Sequence, residues 1–429
     1  MITEGVTKTT LPNGLTVLLK ESHRAPVGSF WVWYRVGSRN EHTGITGISH
    51  WVEHMMFRGT ERFPHGMADR LIGRVGGYHN AMTYLDWTTY YQTLPVNEME
   101  LALQIESDRL PNANFTPDDV ELERTVIISE RQGAENFPSW LLQEELGAAA
   151  FKVHSYRHMT IGWMSDLETI TRDDLFRHYQ AFYAPNNAIV VAVGDFDSAD
   201  MLDKIRSAFG SLPAGPSLPG VRGVEPEQQG ERRVQRVGPG DTAYLSVAYH
   251  APAATHADFF PMAVADTLLG GARSMSIIDD GEPIRTSRLY KALVDTGLAA
   301  EASSFLLPSI DPYLAILSAT VQEGRTLDEV EAALFAEVQR LIDEPVSTDE
   351  LRKAVHQTRA QFVYSAESVT SQAFWLGLAE SVADLAWLDG FLDSLAAVTA
   401  EDVQRVARTY LGERNRTVGW YVPEPEGDE

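Results

Sequence analysis

The sequence predicts an α+β fold of two homologous domains, each a mainly antiparallel sheet with helices packed on one face. Three observations predict it. The chain has 429 residues with 44% hydrophobic and 10% aromatic side chains, too long for one ordinary core and suited to two domains of about 200 residues each. Strand-like and helix-like segments intermix in both halves instead of segregating. The halves also end alike: a Thr-led helix, an asparagine turn and an apolar strand recur at a shift of 228 residues.

Each element follows from its local pattern. Runs of β-branched and aromatic residues mark strands at 15–20, 29–36, 88–94, 188–193, 243–249 and 313–320. Apolar residues at helical spacing mark helices at 47–57, 67–75, 98–109, 117–134, 327–342 and across much of 348–395. Thr171-Arg172-Asp173-Asp174-Leu175 opens a helix to Tyr183, and Asn187 then leads into a strand over 188–193. Thr399-Ala400-Glu401-Asp402-Val403 opens the matching helix, followed by Asn415 and a strand over 417–422. In both, Thr stands three residues before an acid, the arrangement of a capping box. Four prolines and four glycines fall within 211–230, a composition that interrupts helix and sheet pairing. The expected division is therefore 1–212, a linker at 213–232, and 233–429.

Composition excludes several functions. Thirty-five basic and 60 acidic residues give a net charge of −25, the wrong sign for neutralising phosphates, so nucleic acid is not an expected partner. Cysteine is absent, which removes disulfides and thiolate metal ligands and leaves imidazole and carboxylate for any metal. No run of 18 apolar residues occurs, so no membrane span is expected. The N-terminus lacks a basic region followed by an apolar stretch, and the expected compartment is cytoplasmic.

The chemistry concentrates in His50-Trp51-Val52-Glu53-His54. Positions four apart share one face of a helix, so His50 and His54 can hold one ion. Glu53 stands beside them, close enough to take a proton from a water on that ion and return it to a leaving amine. This is the inverted H-x-x-E-H order of zinc proteases. A third ligand is sought on the helix at 117–134, which starts with Thr116 as cap and Pro117 at its first position. Val126, Ile127 and Ile128 are expected to anchor it. Glu123 and Glu130, seven residues apart, both face one side, and helix geometry alone does not choose between them.

These residues closely resemble the pitrilysin/insulinase-like (M16) zinc metallopeptidases, in particular the mitochondrial processing peptidase and the small bacterial two-subunit peptidases. The resemblance implies a clam-like pair of domains, with the metal in 1–212 and none in 233–429. It also implies Zn2+ held by His50, His54 and Glu130, since 75 residues separate His54 from Glu130 and the family places its glutamate ligand at that distance. Glu53 becomes the catalytic base, and Glu123 matches a supporting acid beside the metal shell. Leu11-Pro12-Asn13-Gly14-Leu15 resembles the family's opening hairpin, and Tyr183-Ala184-Pro185-Asn186-Asn187 the end of its first domain. Gly76-Gly77-Tyr78-His79 followed by Asn80, Ala81, Met82 and Thr83 resembles the edge strand that binds an extended peptide substrate. His79 reads as a surface or packing residue, and His65, His154, His158 and His250 receive no metal role.

One part departs from the family. Its active members supply an arginine and a tyrosine from the second domain, and here Leu293 and Ala300 occupy those positions. Neither has a donor for a developing oxyanion. The pattern resembles two-subunit enzymes, in which a paralogous chain contributes the Arg and Tyr, so a heterodimer is expected, with a homodimer as the alternative. The stretch 272–286 is longer than the usual turn and reads as a substrate or partner contact or a surface insertion. Arg288 reads as structural. The expected function is zinc-dependent endopeptidolysis of peptides or unfolded segments in a chamber between domains. The alternative is a non-catalytic, zinc-retaining scaffold or binding subunit of the same fold.

Overall fold

The computed structural model describes residues 2–273, 275 and 285–424. Most of the 272–286 stretch, 274 and 276–284, lies outside the described residues. Two compact units form: Met1–Arg131 with His158–Arg222 and Ala366–Asp389, and Gln132–Arg157 with Gly223–Ser365 and Gly390–Glu429.

Among the described residues the first unit holds a six-stranded sheet of β1 (Thr7–Thr10), β2 (Thr16–Glu21), β3 (Val27–Tyr34), β4 (Tyr78–Thr83), β5 (Thr88–Pro95) and β6 (Ala188–Gly194), ordered β1-β2-β6-β3-β5-β4. The second holds β7 (Arg232–Pro239), β8 (Tyr244–Ala251), β9 (Ala299–Phe305), β10 (Tyr313–Val321) and β11 (Arg416–Glu424), ordered β7-β11-β8-β10-β9. β2–β6 and β7–β11 are parallel, and every other pair is antiparallel. Without β1 the two sheets have the same order and the same single parallel pairing. The duplication suggested by the matching chain ends is thus present in strand topology.

Helices of the first half are α1 (Ile48–Met56), α2 (Met67–Arg74), α3 (Met99–Asn112), α4 (Pro117–Ala134), α5 (Pro138–Ala150), α6 (Met164–Leu167), α7 (Arg172–Phe182) and α8 (Ser198–Phe209). Those of the second are α9 (Phe259–Gly270), α10 (Leu327–Asp343), α11 (Thr348–Tyr364), α12 (Val369–Val382), α13 (Leu385–Asp389), α14 (Phe391–Ala397) and α15 (Ala400–Tyr410). Thr171 and Thr399 both close capping boxes, with Asp174 and Asp402. None of the helices among the described residues is long and apolar enough to cross a membrane.

In the first unit Phe30, Val32 and Tyr34 of β3 face a core shared with Ile48, Trp51, Val52 and Met55 of α1. The alternate residues Trp31 and Trp33 are equally buried, packed on Phe374 of α12 at 6.0 and 5.5 Å between ring centroids. β3 is apolar on both faces, so each face needs cover. A Cβ on Gly377 would lie 2.1 Å from the Trp33 indole nitrogen, so only glycine allows α12 this close. The second unit repeats the arrangement. The Gly419 side of β11 meets Leu142 and Leu146 of α5, while Trp420 on the other side donates to Glu331 of α10 at 2.6 Å. Each unit therefore takes one face-covering helix from the opposite half of the chain, which contiguous halves divided at 213–232 do not describe.

Candidate metal centre

Helix α1 is fixed at its start by two buried acids. Gly47 takes a left-handed φ of 86° at the N-cap, where a Cβ would lie 2.3 Å from the Ile161 carbonyl. Its N–H and that of Ser49 both donate to the Glu41 carboxylate at 2.8 Å. Asp166 accepts from the N–H groups of Gly44 and Thr46 at 2.9 and 3.0 Å and from the Thr46 hydroxyl at 2.7 Å. The Glu41 bonds satisfy donors that a helix start otherwise leaves open, and the Asp166 bonds fix the turn that precedes it. Burial pushes Glu41 up to about 7, against the pull of its two backbone donors. With Ile48, Trp51, Val52, Met55 and Met56 locked in the core, His50 and His54 project together from the remaining face.

Helix α4 carries both candidate acids. Thr116 caps it by accepting from the Asp119 N–H at 3.1 Å. Of the three residues expected to anchor it, Ile127 is fully buried, Ile128 half-buried and Val126 43% exposed. Val120 supplies the second fully buried contact, two helical turns upstream. Glu130 Oε2 stands 3.8 Å from His50 Nε2 and 3.5 Å from His54 Nε2. Two donors about 2.0–2.1 Å from one tetrahedral ion are about 3.3 Å apart, so these three atoms fit such a centre with a small contraction. Their donor atoms all lie within 4.8 Å of one another, and no other such group of His, Asp or Glu occurs among the described residues.

Glu123 serves differently. Its Oε2 lies 3.1 Å from His54 Nδ1, on the ring edge away from the cluster, and its other oxygen pairs with Arg58. Burial works to raise Glu123, but the bonds from His54 and Arg58 outweigh it and hold the carboxyl below its ordinary value. Glu123 in turn orients the His54 ring with Nε2 toward the cluster. His50 is pushed down to about 3 by burial and by the neighbouring His54, which keeps it in the neutral form a metal requires. Its Nδ1 is buried without a hydrogen-bond partner, leaving Nε2 as its working nitrogen.

Glu53 is buried, and burial pushes its carboxyl up to about 7. The Thr83 hydroxyl donates to its Oε2 at 2.6 Å. The family resemblance places Thr83 on the substrate strand and misses this bond, although alternation along β4 puts Thr83 on the side of α1. Arg58 is also unanticipated, and its signal is the four-residue spacing from His54. Asn80 is exposed and its Oδ1 accepts from the Ala81 N–H at 2.9 Å; Ala81 is buried and Met82 half-buried. β4 is the terminal strand of its sheet, paired with β5 alone. His79 lies 2.8 Å from Asp69, His65 Nδ1 donates to the Phe57 carbonyl at 3.0 Å, and His158 stands 3.7 Å from Glu41. In the second unit His154 pairs with Asp311 at 3.0 Å and His250 with the Ala150 carbonyl at 2.9 Å.

The second unit has no equivalent centre among its described residues. Leu293 is fully buried within the turn Tyr290–Val294, and Ala300 presents only a methyl on β9. Arg288 is spent on Glu350 through a two-point contact at 2.8 and 2.9 Å.

This fold and this convergence of two imidazoles and a carboxylate beside a buried glutamate are those of a metallopeptidase family. Residues 16–162 match the family model described as insulinase (peptidase family M16), and residues 169–358 match the peptidase M16 inactive domain. The chain belongs to the M16 family. It is 27% identical over 412 residues to the mitochondrial-processing peptidase subunit beta of Blastocladiella emersonii, covering 96% of this chain and 87% of that one. It is likewise 27% identical over 420 residues to the zinc protease PqqE of Helicobacter pylori, covering 96% and 92%. Among solved structures a protease from Helicobacter pylori superposes with a TM-score of 0.91 at 27% identity, over 97% of this chain and 99% of that one. A peptidase M16 inactive domain from Pseudomonas fluorescens shares the fold, with a TM-score of 0.85 at 19% identity over 98% of both chains.

Proposed function

We propose that this chain is a zinc-dependent endopeptidase acting on peptides or unfolded segments, with His50, His54 and Glu130 as ligands and Glu53 as general base. The observation that carries this reading is the convergence of those three donors next to a glutamate held by Thr83. Zinc bound there would supply Lewis acidity to a water and to the scissile carbonyl. Glu53 takes the water's proton, and its buried carboxyl passes that proton to the departing amine, which regenerates the base. Glu123 keeps His54 turned toward the ligand cluster, and β4 offers a free strand edge to the peptide backbone.

A paralogous subunit supplies the missing Arg and Tyr. Leu293 and Ala300 favour this two-subunit form, because neither side chain donates a hydrogen bond. The same observation favours the second reading, a zinc-retaining subunit without activity of its own. Metal analysis combined with peptide cleavage, with and without an Arg/Tyr-bearing paralogue, separates them. The proposal expects one zinc per chain and hydrolysis that Glu53→Gln abolishes while retaining zinc. Absence of stoichiometric zinc, or an active Glu53→Gln protein, refutes it, whereas zinc without hydrolysis in any combination supports the inactive subunit.

A further inference from the structure

The edge strand β4 has two unlike faces. His79, Ala81 and Thr83 point to the side of α1, where Thr83 meets Glu53 and the His79 ring lies 5.9 Å from Phe57. Tyr78, Asn80 and Met82 alternate onto the opposite face. Tyr78 stands there 51% exposed, yet it is held at both ends. Its ring sits edge-on against Tyr91 at 6.3 Å and 84°, and Tyr91 stacks on the buried Trp31 at 4.1 Å and 9°. Its hydroxyl bonds the Thr370 hydroxyl at 2.8 Å, and Thr370 bonds Thr93 at the same distance. A surface tyrosine without such anchors loses rotamer freedom when it binds something. Here that loss precedes binding, which is the condition for a preformed subsite.

We infer that Tyr78 is a specificity-determining residue that selects an aromatic or large apolar substrate side chain some distance from the scissile bond. The inference rests on the proposed peptidase reading and extends it to substrate choice. A peptide added to the free edge of β4 places one residue directly beside Tyr78, its side chain on the same face. The polar neighbours of that position, Asn80, Thr93 and Thr370, are uncharged, so none of the three forms an ion pair with a charged side chain, while the ring offers a face and an edge. Tyr78 precedes Thr83, the residue next to Glu53, by five positions. At about 3.4 Å per residue this is about 17 Å. The selected residue is therefore four to five positions away from the cleaved bond, by the same spacing along β4.

The test uses the zinc-loaded full chain, with the paralogue if hydrolysis requires it, and peptide pairs that differ only by Phe or Ser at one scanned position. Phe is expected to raise kcat/KM about threefold to tenfold at one position, the range of an aromatic pair. The gain is expected in KM, to vanish in Tyr78→Ser and to survive in part in Tyr78→Phe, which keeps the ring but loses its Thr370 anchor. Zinc content and melting temperature report whether each variant is folded. A Phe preference that persists unchanged in folded Tyr78→Ser overturns the subsite and leaves the peptidase reading intact. Failure of the wild-type protein to cleave any peptide, even with the paralogue, overturns both.

Discussion

The Thr83 hydroxyl donates to Glu53 Oε2 across 2.6 Å, joining the edge strand of the first sheet to the helix that carries both histidines. Thr83 also lies 3.2 Å from the Thr88 hydroxyl, which donates to the Val36 carbonyl at 2.8 Å. The base is therefore oriented by the same strand whose open edge receives the peptide in the proposed function. Distortion of β4 reaches substrate and base together.

Thr83→Val tests this bond, because it replaces the hydroxyl by a methyl of similar size. A hydrogen bond to a charged group is worth about 1.5–3 kcal/mol, so turnover is expected to fall about tenfold or more. Bound zinc is expected to stay at the wild-type level, since Thr83 touches no proposed ligand. Thr83→Ser restores the donor and should restore most of the rate. Steady-state kcat beside zinc content checks it, and joint loss of rate and zinc in Thr83→Val contradicts the assignment.

Glu123 and Glu130 should separate by their effect on metal affinity. Glu130→Gln removes a direct charged donor from the cluster. Glu123→Gln removes the acceptor that orients His54 and leaves Arg58 without its carboxylate partner. Loss of such an outer carboxylate weakens metal binding about 10–100-fold, and loss of the ligand is expected to cost more. Competition with a chelator of known affinity measures both. A larger loss from Glu123→Gln reverses the two roles.

The site was legible in the sequence where its logic is local. His50 and His54 are four residues apart on one helix, and their common face follows from helix geometry. Glu123 and Glu130 share a face of α4 for the same reason, so their pattern cannot say which one joins the two Nε2 atoms and which bonds the far edge of His54; tertiary packing decides that. Strands β1 and β7 read TKTT and RRVQRVGP, polar edge segments with little apolar alternation. Helix α9 is buried at nearly every position and so shows no helical period. The exchange of α5 and α12 between units is a choice of packing partner, which local patterning does not encode. β3 is apolar on both faces, a signal for a second covering helix that the expectation of helices on one face passes over.

Asp266 on α9 gives the second unit a pH-dependent stability. Burial pushes its carboxyl from 3.8 up to about 7, against the opposing influence of Ser304 and Arg273. Its Oδ1 is buried without a hydrogen-bond partner. Between about pH 4 and 7 the folded chain holds a proton there that the unfolded chain has released, so stability falls as pH rises through that window. Its contribution is fully present below pH 4 and lost above 7. Asp266→Asn removes the titration. Unfolding midpoints are expected to favour the variant over the wild type progressively from pH 4.5 to 7.5. A difference that does not change with pH rules the account out.

The missing clamp should resist repair within this chain. Leu293 lies at the position where the resemblance places an arginine, but it is fully buried in the Tyr290–Val294 turn. A guanidinium there loses its hydration, and Arg288, the nearest structural arginine in sequence, already engages Glu350. Burying an unpaired charge costs several kcal/mol even after the surroundings relax. Leu293→Arg is therefore expected to lower the melting temperature by about 6–12 °C without raising the peptidase activity of the isolated chain, taking a loss of roughly 3 kcal/mol at 2–4 °C each. Differential scanning fluorimetry and peptide cleavage on the same preparation check both parts. A stable Leu293→Arg chain with increased turnover would show that this turn can carry the clamp itself, and would remove the structural reason for a second subunit.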